Sequence, residues 1–245
     1  MNQPTLQQRI AETMRPPQRV VMRQQWRSLL FLHWPFPAEQ IEPLLPAGLQ
    51  VDTFDGQAWV GLVPFLMQKV HPVWAPPLPW LSCFAETNVR TYVHCNSKPG
   101  VWFFSLDAAQ PIAVAIARTI WRLPYFAARM SVHQHEARTS YCSRRAAGAF
   151  CQAEAEACSA PMQAAPGSLE FFLAERYLLY ACKQGILYRG SVHHTPYPLQ
   201  KARVKLLKEN LLETAGLRRP SAEPLAHYAA GVDVEVFPLN RVHRQ

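Results

Sequence analysis

The most informative stretch of the sequence spans residues 86–129: ETNVRTYVHCNSKPGVWFFSLDAAQPIAVAIARTIWRLPYFAAR. Its first nine residues alternate polar groups with threonine or valine. Successive side chains of a strand point to opposite faces, so the alternation predicts a β-strand with one polar face. That face suits the wall of a polar pocket and equally a solvent-facing strand of an antiparallel sheet. The polar positions are Glu86, Asn88, Arg90, Tyr92 and His94.

The residues after this strand predict a turn, a second strand and a helix. Residues 96–100 are turn formers and would join the first strand to a second one at 100–106. Asp107 is placed to cap a helix over residues 108–122. That helix is mostly apolar around Arg118. A buried guanidinium there would need a carboxylate or an anionic ligand, whereas its aliphatic stem could instead carry the charge to water.

Elsewhere the chain carries more strand signals than helix signals. Asp55-Gly56 predicts a tight hairpin between residues 49–54 and 57–65, and residues 125–157 resemble a meander of three strands. Roughly ten strands and four helices are expected, with strands adjacent more often than alternating with helices. This pattern predicts an α+β fold with a mostly antiparallel sheet or barrel.

A second helix is predicted over residues 169–182, with Ser168 as its cap. Arg176 falls inside the apolar stripe of that helix, and Glu175 lies on the adjoining face. A buried structural ion pair and a ligand-binding role both account for such an arginine.

The composition predicts a folded protein with a large core. Of its 245 residues, 49% are hydrophobic and 17% charged, which excludes disorder as a description of the whole chain. The longest apolar run, 112–117, is too short to span a bilayer, and no apolar secretion segment opens the sequence. Six scattered cysteines without a CxxC pair fit reduced thiols. We therefore expect a cytoplasmic protein.

The charge is +8 and is carried mostly by arginine, which permits contact with polyanions. Four arginines between residues 15 and 27 recur at every fourth position, but Pro16 and Pro17 oppose a helix through all four. We interpret residues 1–24 as a polar arm and residues 25–245 as one domain. No nucleic-acid partner is expected, because no Lys/Arg block or recognition motif is present.

The histidines offer only weak metal signals. His133 and His135 would share a strand face, but no convincing third ligand lies nearby in the sequence. His33 suits a hydrogen-bonded core position. His193 and His194 would point to opposite faces of a strand, so one of them could enter the core beside Tyr188. No phosphate loop, dinucleotide fingerprint or hydrolase motif occurs, and neither a metal nor another cofactor is predicted.

Together these landmarks resemble the YqjF-like family of uncharacterised bacterial proteins. The matching stretches are WRSLLFLHWPF (26–36), LLPAGLQVDTFDGQAWVGLVPF (44–65), ETNVRTYV (86–93), GVWFFSLDA (100–108), LPYFAARM (123–130), PGSLEFFLAERYLLY (166–180), LYRGSVHHTPYPLQ (187–200) and HYAAGVDVEVFPL (227–239). The family looks like a branch of the acetoacetate decarboxylase-like superfamily. The resemblance implies one domain, a large bent antiparallel sheet or incomplete β-barrel with a few flanking helices and a central ligand cavity.

The resemblance also bears on chemistry. In the decarboxylases a lysine forms a Schiff base with a β-keto acid, and a neighbouring lysine lowers its pKa. Tyr125 and Phe126 stand where those lysines would be, and a phenol cannot form an iminium. The resemblance therefore implies that the decarboxylase mechanism is not retained. It also matches Arg27 to an arginine of the first core strand and Glu86 to a glutamate of the pocket.

The sequence thus predicts a polar cavity for a small organic anion, either a carboxylate or a keto acid. Glu86 and Tyr125 are the candidate catalytic residues, suited to general acid/base work on a carbonyl compound. A non-catalytic sensor on the same fold is the alternative, and polyanion binding through the arm is a third. The oligomeric state stays open. The candidate ligand-binding residues are Arg27, Asn88, Arg90, Tyr92, Arg118 and Arg176.

Overall fold

The structure is a computed structural model that describes residues 3–78 and 80–242. Its described strands are β1 (Met22–Phe36), β2 (Gln50–Val51), β3 (Ala58–Pro72), β4 (Phe84–Cys95), β5 (Lys98–Ala108), β6 (Tyr125–His135), β7 (Arg138–Arg145), β8 (Phe150–Ala157), β9 (Leu178–Lys183), β10 (Ile186–His193), β11 (Leu199–Glu209), β12 (Leu225–Val236) and β13 (Asn240–Arg241). The α-helices are α1 (Leu6–Ala11), α2 (Ala38–Ile41), α3 (Pro111–Ile116), α4 (Leu169–Ala174) and α5 (Leu211–Thr214). A 3₁₀ turn spans Glu42–Leu44 and a π-helical turn spans Ala117–Trp121.

The strands form one large, strongly bent sheet. Their order is β13-β10-β9-β5-β6-β7-β8-β11-β12-β1-β3-β4-β2. Two further pairings, β10 with β12 and β5 with β4, bring distant parts of this order together. Most neighbours are antiparallel, and the parallel pairs are those of β5 with β6 and with β9. The sheet therefore wraps around an interior without forming a regular barrel, in agreement with the α+β fold predicted from the sequence.

The sheet bends around an apolar interior to which β1, β3, β4 and β12 contribute most. Phe31, Val63, Phe65 and Val232 belong to one cluster of buried side chains on the inner face. A second cluster, which includes Leu32 of β1, packs on the opposite face of the same strands. Where both faces are covered, as along the whole of β4, a polar residue on the strand lies inside the protein.

Turn chemistry sets two of the predicted connections. Asn96 and Ser97 both have positive φ angles, 51° and 56°, and form the two-residue turn between β4 and β5. Asp55 and Gly56 also form a tight turn, but only one bridge, between residues 54 and 57, closes beneath it. The short β2 before this turn pairs with β4 instead of β3. The predicted hairpin is therefore a turn without a ladder.

The helix predicted over residues 169–182 is half helix and half strand. Ser168 caps α4 as expected, because its side chain accepts a hydrogen bond from the Phe171 amide. The helix ends at Ala174, and residues 178–183 form β9, paired with β10 and β5. The apolar spacing fitted a helix, but strand pairing in the folded sheet prevails over a periodicity that short apolar runs leave ambiguous.

Asp107 is not the helix cap that the sequence predicts. β5 continues to Ala108, and the buried Asp107 carboxylate accepts hydrogen bonds from Ser143 and from Arg145 Nε. The side chain of Gln110 caps α3 instead, accepting from the Ile112 amide. Asp107 thus ties β5 to β7.

The amino-terminal residues lie against the sheet. Thr5 caps α1, and Arg9 of that helix forms an ion pair with the buried Asp52. Lys98 pairs with Glu12 just after the helix. The helix ends well before the two prolines, so the repeated arginines do not share a helical face, as those prolines indicate. Within the described residues, no helix is long and apolar enough to cross a membrane.

Candidate functional site

The polar residues of β4 lie inside the molecule, and we call them the polar ladder: Glu86, Asn88, Arg90, Tyr92 and His94. Every residue of this strand is buried, and Glu86, Asn88 and Arg90 are 4%, 4% and 9% exposed. Buried polar groups need hydrogen-bond or charge partners, because water no longer supplies them. The solvent-facing alternative is therefore excluded, and the question becomes what pairs with these groups.

Neighbouring strands make room for the ladder. Phe65 lies opposite Glu86, and Gly61 lies opposite Arg90. His33 of β1 lies on the other side of Gly61. A Cβ atom at Gly61 would lie 3.0 Å from the His33 ring and 3.4 Å from Arg90 Cγ. The glycine thus provides the space in which a histidine and an arginine sit side by side.

Glu86 is the first residue of the ladder and supplies its carboxyl group. The Tyr125 hydroxyl donates a 2.8 Å hydrogen bond to Glu86 Oε2, and the Asn88 side chain also hydrogen-bonds this carboxyl. Burial opposes ionisation more strongly than these bonds favour it, so it raises the pKa of Glu86 to about 7. Burial, together with Glu86, raises the pKa of Tyr125 well above its usual value. Glu86 is therefore able to gain or lose a proton near neutral pH.

Arg90 is a buried cation held only by neutral groups. Its Nη2 donates to the Leu173 carbonyl at 3.2 Å and to the Tyr92 oxygen at 3.4 Å. The guanidinium also lies 5.5 Å from the centre of the Phe31 ring. Its Nε has no partner, and no carboxylate pairs with it among residues 3–78 and 80–242. Arg90 is therefore a buried guanidinium that no carboxylate in the described chain neutralises.

Tyr92 has a structural role in this region. Its hydroxyl donates to the Leu173 carbonyl at 2.7 Å, at the end of α4. That oxygen can therefore only accept from His33 Nε2, also 2.7 Å away. Burial lowers the pKa of His33 well below its usual value, so the ring is neutral. The Tyr92 hydroxyl thus gives its proton to the Leu173 carbonyl and accepts from His33, so it has no free proton for a ligand.

Five rings line the interior beside the ladder, and we call them the aromatic wall. Phe31 packs edge-on to Tyr197 at 5.3 Å, and Tyr197 lies 4.5 Å from His194. Trp26 lies 5.8 Å from both His194 and Phe65. Since Phe31 contacts Arg90 and Phe65 lies opposite Glu86, the wall runs beside the ladder from Glu86 to Arg90. The wall consists of Phe31, Tyr197, His194, Trp26 and Phe65.

The sequence does not single out the part of the wall built around Glu175. The Tyr177 hydroxyl and the Tyr197 amide donate to the two oxygens of its carboxyl, at 2.6 Å and 3.0 Å. His194 stacks on Tyr177 with ring centres 4.5 Å apart. One of the paired histidines does enter the core, but against Tyr177 and Tyr197 instead of Tyr188. The only sequence signal was the density of aromatic residues between 177 and 197.

Arg176, a predicted ligand-binding residue, is engaged in a structural ion pair. Its Nη1 donates to Asp52 Oδ2 at 2.7 Å, and Arg9 binds the same carboxylate. Burial raises the pKa of Asp52, but the two guanidinium groups outweigh it and hold that pKa below its usual value. The sequence suggested Glu175 as the neighbouring carboxylate, but the actual partner lies 124 residues away.

Two other predicted ligand-binding arginines lie away from the ladder. Arg118 lies on the π-helical turn, where its Nε donates to the Tyr125 carbonyl at an exposed position. Its guanidinium thus reaches solvent. Of the two alternatives that the sequence left open, the structure shows the one in which the aliphatic stem carries the charge to water. Arg27 forms an ion pair with the largely exposed Asp233 and also donates to the Val232 carbonyl. The structure therefore brings together Glu86, Tyr125, Asn88, Arg90 and Tyr92, but not these two arginines.

Other predicted signals lie outside this site. His133 and His135 are not buried, and no group of three or more potential metal ligands occurs in the described part of the chain. Arg15 of the arm pairs with Glu235. Like Arg9 and Arg27, it uses its charge within the molecule, which reduces what is available for a polyanion.

Comparison of the sequence with known proteins identifies the family of this chain. Residues 23–233 match the DUF2071 family, described as an uncharacterized conserved protein. The chain belongs to this family. The "Uncharacterized protein YqjF" of Bacillus subtilis strain 168 is 38% identical over 223 residues, which cover 90% of this chain and 92% of that protein.

Solved structures share the fold at low sequence identity. An acetoacetate decarboxylase-like enzyme from Sphingomonas wittichii RW1 superimposes with a TM-score of 0.65 and 11% identity, covering 93% of this chain and 95% of that one. The acetoacetate decarboxylase of Legionella pneumophila has a TM-score of 0.65 at 12% identity, covering 95% and 94%. The enduracididine biosynthesis enzyme MppR, complexed with pyruvate, has a TM-score of 0.66 at 10% identity, covering 93% and 91%. The family member described here therefore has an acetoacetate decarboxylase-like fold.

Proposed function

We propose that the inner face of β4 binds a small organic acid as its anion. The observation that carries this proposal is Arg90, a buried guanidinium with an unpaired Nε and no carboxylate partner in the described chain. Burying an uncompensated charge is costly, and the cost is recovered when an anion pairs with it. A ligand carboxylate is the simplest such anion.

Glu86 and Tyr125 give the proposed site a means of proton transfer. With a pKa of about 7, Glu86 is present in both protonation states at neutral pH. That is the condition under which a general acid or base works best. The Tyr125 hydroxyl, bound to Glu86, is placed to donate a hydrogen bond to a carbonyl oxygen of the ligand when Glu86 is protonated. General acid/base chemistry on a keto acid is the reaction that this pair supports.

Schiff-base decarboxylation is not part of the proposal. None of the six lysines is buried, and Tyr125 and Phe126 stand at the positions where the resemblance would put the reactive lysines. A ligand bound without an iminium would keep its carbonyl intact. MppR, which shares the fold, forms a complex with pyruvate, a small keto acid.

A non-catalytic sensor remains the second candidate, and the lack of a buried lysine favours it. An enzyme would convert its ligand and lose conversion in Glu86→Gln while keeping binding. A sensor would bind in both forms and convert nothing. Measuring turnover and affinity on the same two proteins therefore separates the candidates.

The test is a thermal-shift screen against small carboxylic and keto acids, followed by calorimetric titration. Wild type should be stabilised by at least one acid, and Arg90→Gln should lose that stabilisation. Arg203→Gln removes an equal charge from an exposed position of β11 and serves as the matched control. Arg90→Lys is a second variant that keeps the charge if the glutamine protein folds poorly.

The pH dependence gives an independent readout of the same site. As the pH rises through about 7, Glu86 ionises and repels a bound carboxylate. Acid affinity should therefore fall from about pH 6 to about pH 8 in wild type and fall less in Glu86→Gln. Stabilisation that survives in Arg90→Gln, or no stabilisation by any acid, would refute the proposed function.

A further inference from the structure

His194 presents an unpaired hydrogen-bond acceptor in the aromatic wall. Its Nδ1 lies 2.7 Å from the Thr195 carbonyl oxygen, which can only accept, so Nδ1 carries the ring proton. Nε2 therefore holds a bare lone pair. The residue is 3% exposed, and Nε2 is buried without a partner in the described chain. Leaving such an acceptor unsatisfied is costly, and a bound group that donates to it would remove that cost.

The surrounding rings hold this imidazole in place. Tyr177 stacks on it at 4.5 Å, and Tyr197 and Trp26 contact it from other directions. Tyr177 is itself fixed by the hydrogen bond from its hydroxyl to Glu175. Burial also lowers the pKa of His194 to about 4, so the ring is neutral at physiological pH. A fixed, neutral imidazole is suited to accept a hydrogen bond from a group with its own O–H or N–H.

The acceptor and the anion-binding donor belong to one interior. Phe31 contacts Arg90 on one side and Tyr197 on the other, and Tyr197 contacts His194. Asn88 Oδ1, next to Arg90 on the ladder, is a second buried acceptor without a partner in the described chain. This interior thus offers an unused donor, Arg90 Nε, and three unused acceptors, which are His194 Nε2, Asn88 Oδ1 and the Nδ1 atom of His33. A carboxylate has no proton to give at neutral pH, so it satisfies the donor and leaves all three acceptors unpaired.

We propose that the acid bound beside Arg90 carries a separate hydroxyl or N–H group, which donates a hydrogen bond to His194 Nε2. This inference rests on the proposed function and narrows its ligand class to hydroxy acids and other acids with a second, donating group. His194 acts as a specificity-determining residue, because an acid without the donor leaves Nε2 unsatisfied.

The test compares acids that differ by one hydroxyl group. Titration calorimetry would measure propanoate against 2-hydroxypropanoate and 3-hydroxypropanoate, and butanoate against 3-hydroxybutanoate. Wild type should bind at least one hydroxylated member about tenfold more tightly than its parent acid, as one added hydrogen bond allows. His194→Phe keeps an aromatic ring but removes the acceptor, and it should abolish this preference. His135→Phe, at an exposed position, is the matched control.

The outcomes separate this inference from the proposed function. Arg90-dependent binding of the parent acids, with no preference for any hydroxylated partner, overturns the inference and leaves the proposed function standing. Binding of none of these acids overturns both. If His194→Phe does not fold, nitrogen NMR of histidine-labelled wild type replaces it. The Nε2 resonance of His194 should move upfield when the preferred hydroxy acid binds, and a resonance that stays in place refutes the inference.

Discussion

Two buried arginines, Arg176 and Arg90, lie in similar aromatic surroundings but differ in whether a carboxylate pairs with them. Arg176 lies against Phe172 and Tyr92 and is neutralised by Asp52, which Arg9 also binds. Arg90 lies against Phe31 and the same tyrosine, yet only neutral oxygens accept its hydrogen bonds. Asp52 thus supplies Arg176 with a carboxylate partner, whereas no carboxylate in the described chain pairs with Arg90. The comparison separates a guanidinium with a carboxylate partner from the one at which we propose that a ligand binds.

The largest effect on stability is expected at Asp52, the carboxylate that Arg9 and Arg176 share. Asp52→Asn removes the carboxylate shared by Arg9 and Arg176 and should destabilise the protein by about 3–5 kcal/mol, because two positive charges lose their partner. Urea unfolding would measure the loss. Asp55→Asn, in an exposed turn where asparagine tolerates the positive φ, is the control and should cost little. Equal stability of the two variants would mean that Arg176 does not depend on Asp52.

A smaller effect on stability is expected at Glu86, which lies on the same strand as Arg90. The pKa of Glu86 is raised from 4.5 to about 7, so the folded state binds its proton more tightly than the unfolded chain. The resulting stability is complete below pH 4.5 and is lost as the pH rises through 7, an effect of about 3 kcal/mol.

Glu86→Gln cannot titrate, so unfolding measured between about pH 4.5 and about pH 8 should show the variant gaining on wild type by about that amount. The same pH dependence in both proteins would assign the titration to another group.

Gly61 allows the position of Arg90 to be changed without altering any charge. Gly61→Ala places a methyl group 3.0 Å from the His33 ring and 3.4 Å from Arg90 Cγ, so both side chains must move. We expect a loss of about 1–2 kcal/mol in unfolding free energy, typical of overpacking. The variant should also weaken binding of any acid that depends on Arg90. Unchanged binding would place the acid elsewhere.

The smallest predicted effect concerns the Tyr125 hydroxyl. Its hydrogen bond lowers the pKa of Glu86 against the larger effect of burial. Tyr125→Phe should therefore raise that pKa by up to about one unit, equivalent to about 1.4 kcal/mol. Carbon NMR of the Glu86 carboxyl would follow the titration. A pKa that falls or stays the same would mean that the phenol does not donate to Glu86 in solution.

The sequence predicts features that depend on neighbours along the chain. The alternation from Glu86 to Tyr92 identified a strand with one polar face, because strand periodicity is local. Turn-forming residues around Asn96 placed the connection to the next strand correctly. The side chains that hydrogen-bond Glu86 are those of Tyr125 and Asn88, and the sequence had selected both.

Features that depend on distant contacts could not be predicted in this way. The partner of Arg176 lies 124 residues away, and the rings around His194 come from three separate segments. The helical spacing after Ser168 was real, but sheet pairing turned its second half into β9. The position of Arg118 depended on which side of a short helix met the sheet, which an almost entirely apolar segment does not specify.

A crystal structure of the protein soaked with the small acid that stabilises it most would show directly whether Arg90 binds that acid. We expect the acid's carboxylate to lie within hydrogen-bond distance of Arg90 Nε, with Arg176 still bound to Asp52. An acid bound only at surface arginines such as Arg118 or Arg27, or a protein carboxylate paired with Arg90, would contradict it.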